Sequence, residues 1–260
     1  MTTLKHLTSA DNPQFKQLKK LAGSARERRK AGQTLLDGVH LLHALADAGG
    51  MPQLLVVREG AQNSAEIVQC LARFPQVPVL MFAPALFDAI TPVETPTGVL
   101  ALLNIAAPTQ RDYQCAVLLE NIQDPGNLGS IIRTAAAAGC DAVFLSTGCA
   151  EAWSPKALRA GMGAHFAIAI HEGQDLTAAA QRFARVIATR LDATHSLYDI
   201  DLTGSTAFLF GNEGTGLSPA LSACATQQVI IPMPGQVESL NVAAAAAVCL
   251  FERVRQKSQS

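Results

Sequence analysis

The chain has 260 residues, 49% hydrophobic and 16% charged, with a formal net charge of −1 at pH 7. A charged share below the usual ~25% on an apolar-rich chain excludes extensive disorder, which needs low hydrophobicity and high net charge. The longest unbroken apolar run, Val242–Phe251, is ten residues, short of the roughly 20 that span a bilayer, and the amino terminus lacks a signal peptide's apolar core, so a cytoplasmic protein without a membrane partner is expected.

The opening segment predicts a helix. Asn12 can cap it, Pro13 suits its first turn, and Phe15, Leu18 and Leu21 recur at helical spacing, leaving Lys16, Lys19 and Lys20 on the other sides. Through residue 30 there are eight basic and two acidic residues, so this end carries +6 and the remainder −7. Such an end suits a phosphate backbone, and equally a solvated helix face. A second helix covers Val39 to Ala48 and ends at Gly49-Gly50. Apolar runs at Leu54–Val57, Val77–Phe82 and Val99–Leu103 predict strands, with a helix near Ala65–Ala72. Residues 1–104 therefore form a small α/β domain, and the stretch 105–114, containing Pro108, is the linker.

From 115 to 260 the alternation is regular. Strands are predicted at Ala116–Glu120, Ala142–Leu145, Val186–Ala188, Ala207–Phe210 and Val229–Ile231, with helices over Leu128–Ala138 and from Leu240 to about Arg255. The last helix is expected to bury a stripe of Leu240, Ala244, Ala247, Phe251 and Val254. Strands apolar throughout, alternating with helices, imply a parallel sheet covered on both faces. The six cysteines (Cys70, Cys115, Cys140, Cys149, Cys224 and Cys249) form no CxxC pair and no zinc spacing. No metal is expected, and a reducing compartment fits; Cys115, Cys140 and Cys249 read as small buried hydrophobes.

Three turns follow strands, where open α/β sheets place ligands. The first, Glu120 to Gly129, holds two Asn, an Asp, a Pro and two Gly, and runs into a helix carrying Arg133 about a turn and a half in; Asn127 is a candidate cap. The second, Phe210-Gly211-Asn212-Glu213-Gly214-Thr215-Gly216-Leu217-Ser218, sets three glycines around one Glu, so the backbone can approach a flat ligand. It is neither GxGxxG nor a P-loop, which disfavours a nucleotide-dependent enzyme on a doubly wound fold. The third, Ile231-Pro232-Met233-Pro234-Gly235 followed by Val237-Glu238-Ser239-Leu240-Asn241-Val242, places Ser239 and Asn241 where the last helix begins. His195 is the one tempting general base left over, and reads as a solvated loop residue.

Together the three motifs resemble those of the SpoU (TrmH-like) RNA ribose 2'-O-methyltransferases of the SPOUT superfamily: N-x-x-D-P-x-N-x-G-x-x-x-R-T-A, then G-N-E-G-x-G, then I-P-M-x-G-x-x-x-S-L-N-V. The stretch Ser154-Pro155-Lys156 through Arg159-Ala160 and Met162-Gly163-Ala164 also resembles the family. The first hundred residues resemble its substrate-binding extension. There Asp37 stands before Gly38 where Glu is usual, and Thr97, in Thr95-Pro96-Thr97-Gly98-Val99, stands where Gln is common.

The resemblance implies a parallel sheet with a carboxyl-terminal trefoil knot, a homodimer, and S-adenosylmethionine as cofactor. By position, Leu209, Gly211, Asn212, Ile231, Met233, Leu240 and Val242 are expected around the cofactor, and Arg133, Asn127, Glu213, Ser239 and Asn241 at the chemistry. Lys16, Lys19, Lys20, Arg26, Arg28, Arg29, Lys156 and Arg159 are expected to face RNA. The implied reaction is methylation of a ribose 2'-hydroxyl, with ribosomal RNA favoured over transfer RNA. The rival reading is an RNA-binding or assembly protein that no longer methylates. Since arginine stays protonated, Arg133 reads as an electrostatic clamp on the phosphate and developing alkoxide rather than a literal base.

Overall fold

The computed structural model describes residues 5–91, 96–109 and 111–259; Thr95 lies outside them. The chain divides into two compact units, residues 1–107 with 153–166, and residues 108–152 with 167–260. The segment 153–166 thus clusters with the first unit, although in linear order it falls among residues 115–260.

In chain order the first unit contains β1 (Lys5–Leu7), α1 (Pro13–Gly23), α2 (Ala25–Ala31), β2 (Gln33–Asp37), α3 (Val39–Asp47), β3 (Leu54–Arg58), α4 (Ala65–Ala72), β4 (Val79–Phe82), α5 (Pro84–Asp88) and β5 (Val99–Asn104). Its sheet runs β1-β4-β3-β5-β2, parallel between β1, β4 and β3 and antiparallel where β5 meets β3 and β2. Asn12 caps α1, its side chain accepting from Gln14 N, and Phe15, Leu18 and Leu21 go into the core with Leu54, Val56, Phe82 and Leu100. Arg28 departs from the expected role. It is 5% exposed, and its Nη1 donates to Leu21 O at 2.6 Å and Ala22 O at 3.2 Å, satisfying carbonyls that α1 leaves open at its end.

The second unit holds β6 (Cys115–Leu119), α6 (Pro125–Ala137), β7 (Ala142–Leu145), β8 (Ala169–His171), α8 (Leu176–Ala180), β9 (Arg185–Thr189), β10 (His195–Ser196), β11 (Thr206–Phe210), α9 (Pro219–Ser222), β12 (Gln227–Ile230) and α10 (Val242–Lys257); α7 (Pro155–Gly161) falls within the segment that joins the first unit. Its seven strands run β10-β12-β9-β11-β6-β7-β8, all parallel, as expected of fully apolar strands. β6 and β11 are buried along their whole length. Cys115, Cys140 and Cys249 are buried, as their apolar surroundings imply.

Two expectations are corrected here. α6 begins at Pro125, capped by Asp124, whose Oδ1 accepts from Asn127 N at 2.8 Å; Asn127 is inside the helix, and Arg133 is more than two turns in. The buried side of α10 is Ala246, Cys249, Leu250, Glu252 and Arg253. Of the expected stripe, Leu240, Ala244 and Phe251 are exposed and Ala247 and Val254 half-buried. The run Val242–Phe251 is apolar all round, so its periodicity does not choose a face.

Candidate active site

In the second unit the residues that follow β9, β11 and β12 surround a cavity of about 340 Å³, within the range of small-ligand sites. Thr189, Arg190 and Leu191 come from the first of these turns, Phe210 to Glu213 from the second, and Ile231 and Met233 from the third. Ser239, Leu240, Asn241, Val242 and Ala245 complete that side at the start of α10. Of the seven expected cofactor residues, Gly211, Asn212, Ile231, Met233, Leu240 and Val242 line the cavity. Leu209 does not: it is fully buried in the core, and because strand side chains alternate in direction its neighbour Phe210 takes the wall instead.

Side-chain amides fix the loops against one another. Asn212 Oδ1 accepts from Gly214 N at 2.9 Å and Thr215 N at 3.1 Å, and its Nδ2 donates to Asn121 O at 3.0 Å. Asn212 and Gly216 also exchange backbone hydrogen bonds at 3.1 and 2.9 Å. At Gly211 a Cβ would overlap the Gly216 carbonyl and the Leu217 nitrogen, so this close backbone approach admits glycine only.

A directional chain joins all three motifs. Asn241 caps α10, its Oδ1 accepting from Ala243 N at 2.9 Å, which leaves Nδ2 to donate to Asn127 Oδ1 at 3.1 Å. Asn127 Nδ2 then donates to Glu213 Oε1 at 2.8 Å. Asn127, Glu213 and Asn241 are therefore brought together, and Ser239 shares the cavity wall with the last two. Arg133 is not part of this chain. It lies six positions after Asn127 on α6, which at ~100° and 1.5 Å per residue points the two side chains ~120° apart and displaces them ~9 Å along the axis. Arg133 is exposed.

The sequence reading missed Thr189, Arg190 and Leu191 in the wall. Their signal was available, because they follow a predicted strand at its carboxyl end. Arg190 Nε and Nη2 donate to the two oxygens of Asp192 at 2.8 and 2.9 Å; this pairing raises the Arg190 pKa and lowers that of Asp192. His195 lies on the exposed edge strand β10 and does not line the cavity. No group of three or more His, Cys, Asp or Glu among the described residues is placed to hold a metal ion, and none of their helices is long and apolar enough to cross a membrane.

In the first unit Lys16, Lys19, Lys20, Arg26, Arg29, Lys156 and Arg159 are exposed. Lys16 pairs with Asp11 at 2.8 Å. Asp37 is half-buried at the end of β2, hydrogen-bonded by Thr91; burial pushes its carboxyl pKa up, while the Thr91 bond and the Arg159 charge act the other way.

The profile of the SpoU rRNA methylase family matches residues 114–251, and that of an MRM3-like substrate binding domain matches residues 12–101. The chain belongs to the SpoU family. It is 32% identical to a 23S rRNA (guanosine(2553)-2'-O)-methyltransferase of Bacillus subtilis over 95% of this chain and 98% of that one. It is 30% identical to a 23S rRNA (uridine(2479)-2'-O)-methyltransferase of Streptomyces viridochromogenes over 95% and 91%. The crystal structure of the SpoU methyltransferase AviRb from Streptomyces viridochromogenes, in complex with AdoMet, superposes with a TM-score of 0.82 at 28% identity, covering 96% of this chain and all of that one. As a SpoU protein the chain is an RNA methyltransferase using S-adenosylmethionine. The cavity fits that cofactor on its own terms: Phe210, Leu217, Ile231, Leu240 and Val242 offer apolar faces to an adenine, beside backbone and amide groups able to bond its polar edge.

Proposed function

We propose that the chain methylates a ribose 2'-hydroxyl of ribosomal RNA. The observation that carries this is the Asn241–Asn127–Glu213 chain, two of whose members stand in the wall of the cofactor cavity. The cofactor, when bound, supplies an electrophilic methyl group on a sulfonium sulfur. The protein's task is to align the 2'-oxygen and stabilise charge as its proton leaves. Glu213, Asn127, Ser239 and Asn241 orient the nucleotide by hydrogen bonds, and the exposed guanidinium of Arg133 stabilises negative charge on the 2'-oxygen and adjoining phosphate. The 120° divergence of Arg133 from Asn127 has them address different sides of the nucleotide.

Ribosomal RNA is favoured by the named targets of the relatives and by the match of the first unit to a substrate binding domain. Lys16, Lys19, Lys20, Arg26, Arg29, Lys156 and Arg159 are the proposed contacts to its backbone; Arg28 is withdrawn from that set, being committed to α1. A homodimer is supported by exposed apolar residues just before and along α10: Leu240, which precedes the Asn241 cap, is 38% exposed and Phe251 49%. Leu240 also lines the cavity, so a second copy covering it would adjoin the cofactor. A trefoil knot is supported by the return of the chain after β12 to share the cavity wall with Gly211 and Gly216. The free thiols fit a cytoplasmic setting.

The test is transfer of a radiolabelled methyl group from S-adenosylmethionine into total unmethylated RNA, with size separation and nucleoside analysis. Label in ribosomal RNA recovered as a 2'-O-methylnucleoside is expected. Label on a base, or in transfer RNA alone, would overturn the reading.

A further inference from the structure

Arg190 stands directly after β9 and contributes the one Lys or Arg side chain in the described wall of the cofactor cavity. None of the three motifs accounts for it. Its guanidinium is held from two sides: Nε and Nη2 donate to the Asp192 carboxylate, and Nη1 donates to Ser222 Oγ at 3.2 Å. A guanidinium has five N–H donors. These three bonds leave two, one on each terminal nitrogen, the number a carboxylate takes in bidentate pairing. The Arg190 side chain is 40% exposed, so it is sheltered enough for a charge-assisted bond to count yet open to a ligand. S-Adenosylmethionine ends in an α-carboxylate, and the remaining wall offers that group apolar side chains, neutral polar groups and the like-charged Glu213.

We propose that Arg190 is the anchor for the α-carboxylate of S-adenosylmethionine, with Asp192 and Ser222 as the positioning residues that hold its guanidinium. The inference rests on the reading of this cavity as the cofactor site. It makes Arg190 a determinant of the amino-acid end of the cofactor, separate from the loops that take the adenosine. The product, S-adenosylhomocysteine, keeps that carboxylate, whereas 5'-methylthioadenosine lacks the whole amino-acid portion; the two ligands therefore report on different parts of the cavity.

Calorimetric titration of both ligands into the full-length protein and its Arg190→Ala variant tests this. The variant should bind S-adenosylhomocysteine about tenfold more weakly, the scale of a lost charge-assisted pair, and 5'-methylthioadenosine unchanged within about twofold, the unchanged ligand also showing an intact fold. Arg190→Lys should fall between, since it keeps the charge without the fork. Asp192→Asn should weaken S-adenosylhomocysteine selectively by a few-fold. Equal weakening of both ligands by Arg190→Ala would overturn the proposal, and so would two unchanged affinities accompanied by a raised KM for RNA, which would make Arg190 a phosphate contact. A wild-type protein binding neither ligand would overturn the cofactor reading of the cavity, and the inference with it.

Discussion

Asn127 Nδ2 donates to Glu213 Oε1 at 2.8 Å across 86 residues of sequence. The direction of that bond is set elsewhere: Asn241 Oδ1 is engaged by the backbone N–H groups of α10, so its Nδ2 faces Asn127 Oδ1, and Asn127 has only its own amide N–H left for Glu213. A helix cap thus fixes the orientation of the Glu213 carboxylate two contacts away.

Asn127→Asp inverts the middle of this chain and sets a carboxylate against Glu213. A hydrogen bond to a charged group is worth about 1.5–3 kcal/mol, so kcat should fall about 10- to 100-fold. The affinity for S-adenosylhomocysteine should change less than about threefold, because Asn127 is not in the cavity wall. Steady-state kinetics with a parallel binding titration separates the two, and an unchanged kcat would make the chain merely structural.

Gly211→Ala should act on cofactor binding instead. Its new Cβ meets backbone atoms of Gly216 and Leu217, which cannot rotate away as a side chain can. The loop must shift as a body, and a weakening of S-adenosylhomocysteine by about tenfold or more is expected, with a stability loss on the scale of overpacking, about 1–3 kcal/mol, read as a lowered Tm. Wild-type affinity in this variant would show that the loop adapts freely.

Arg133→Ala should leave the Kd for S-adenosylhomocysteine at the wild-type value, as its side chain touches neither the cavity nor the Asn127 chain. Methyl transfer should fall by about 100-fold or more, the scale of one removed charge-stabilising donor. Single-turnover rates with saturating RNA are the measurement, and wild-type turnover would remove Arg133 from the mechanism.

Arg28 and Arg29 are neighbours in a basic run, yet their variants should diverge. Arg28 is buried on the α1 carbonyls, and Arg28→Ala should cost about 1–3 kcal/mol of stability by leaving those acceptors unpaired. Arg29 is exposed; Arg29→Ala should keep Tm and reduce the salt dependence of RNA binding by up to about 0.7 in slope, the value for one single-stranded phosphate contact. Thermal melts and binding at several salt concentrations distinguish them.

The pattern behind that pair explains what was legible in the chain. Strands and helices with strong apolar runs were readable, down to the Asn12 cap and the β7 boundaries, because burial and local hydrogen bonding act there in concert. The short edge strands β1 and β10, and β2 with its polar Gln33 and Thr34, carry too little apolar pattern to announce themselves. The cavity-lining turns after β11 and β12 were visible because glycine, proline and amide residues in a fixed order specify backbone shape. Charge in sequence says nothing of which carbonyls lie within reach, so the burial of Arg28 is not legible there, and the turn that Arg190 opens has only its place after a predicted strand to mark it, with no glycine, proline or amide residue over 190–196.

The exposed side of α10 supports the last prediction. Phe251 is 49% exposed, while the helix packs inward through Ala246, Cys249 and Leu250, so Phe251→Glu leaves the core contacts of a single copy intact. If a second copy covers this side, a charge in place of the ring desolvates at a cost that an interface cannot offset. Sedimentation should then show a dimer for the wild type and a monomer for Phe251→Glu, with the helical circular dichroism signal retained. Because Leu240 is both exposed and part of the cavity wall, S-adenosylhomocysteine should bind more weakly as the dimer parts. A monomeric wild type, or a Phe251→Glu dimer, would refute pairing through this helix.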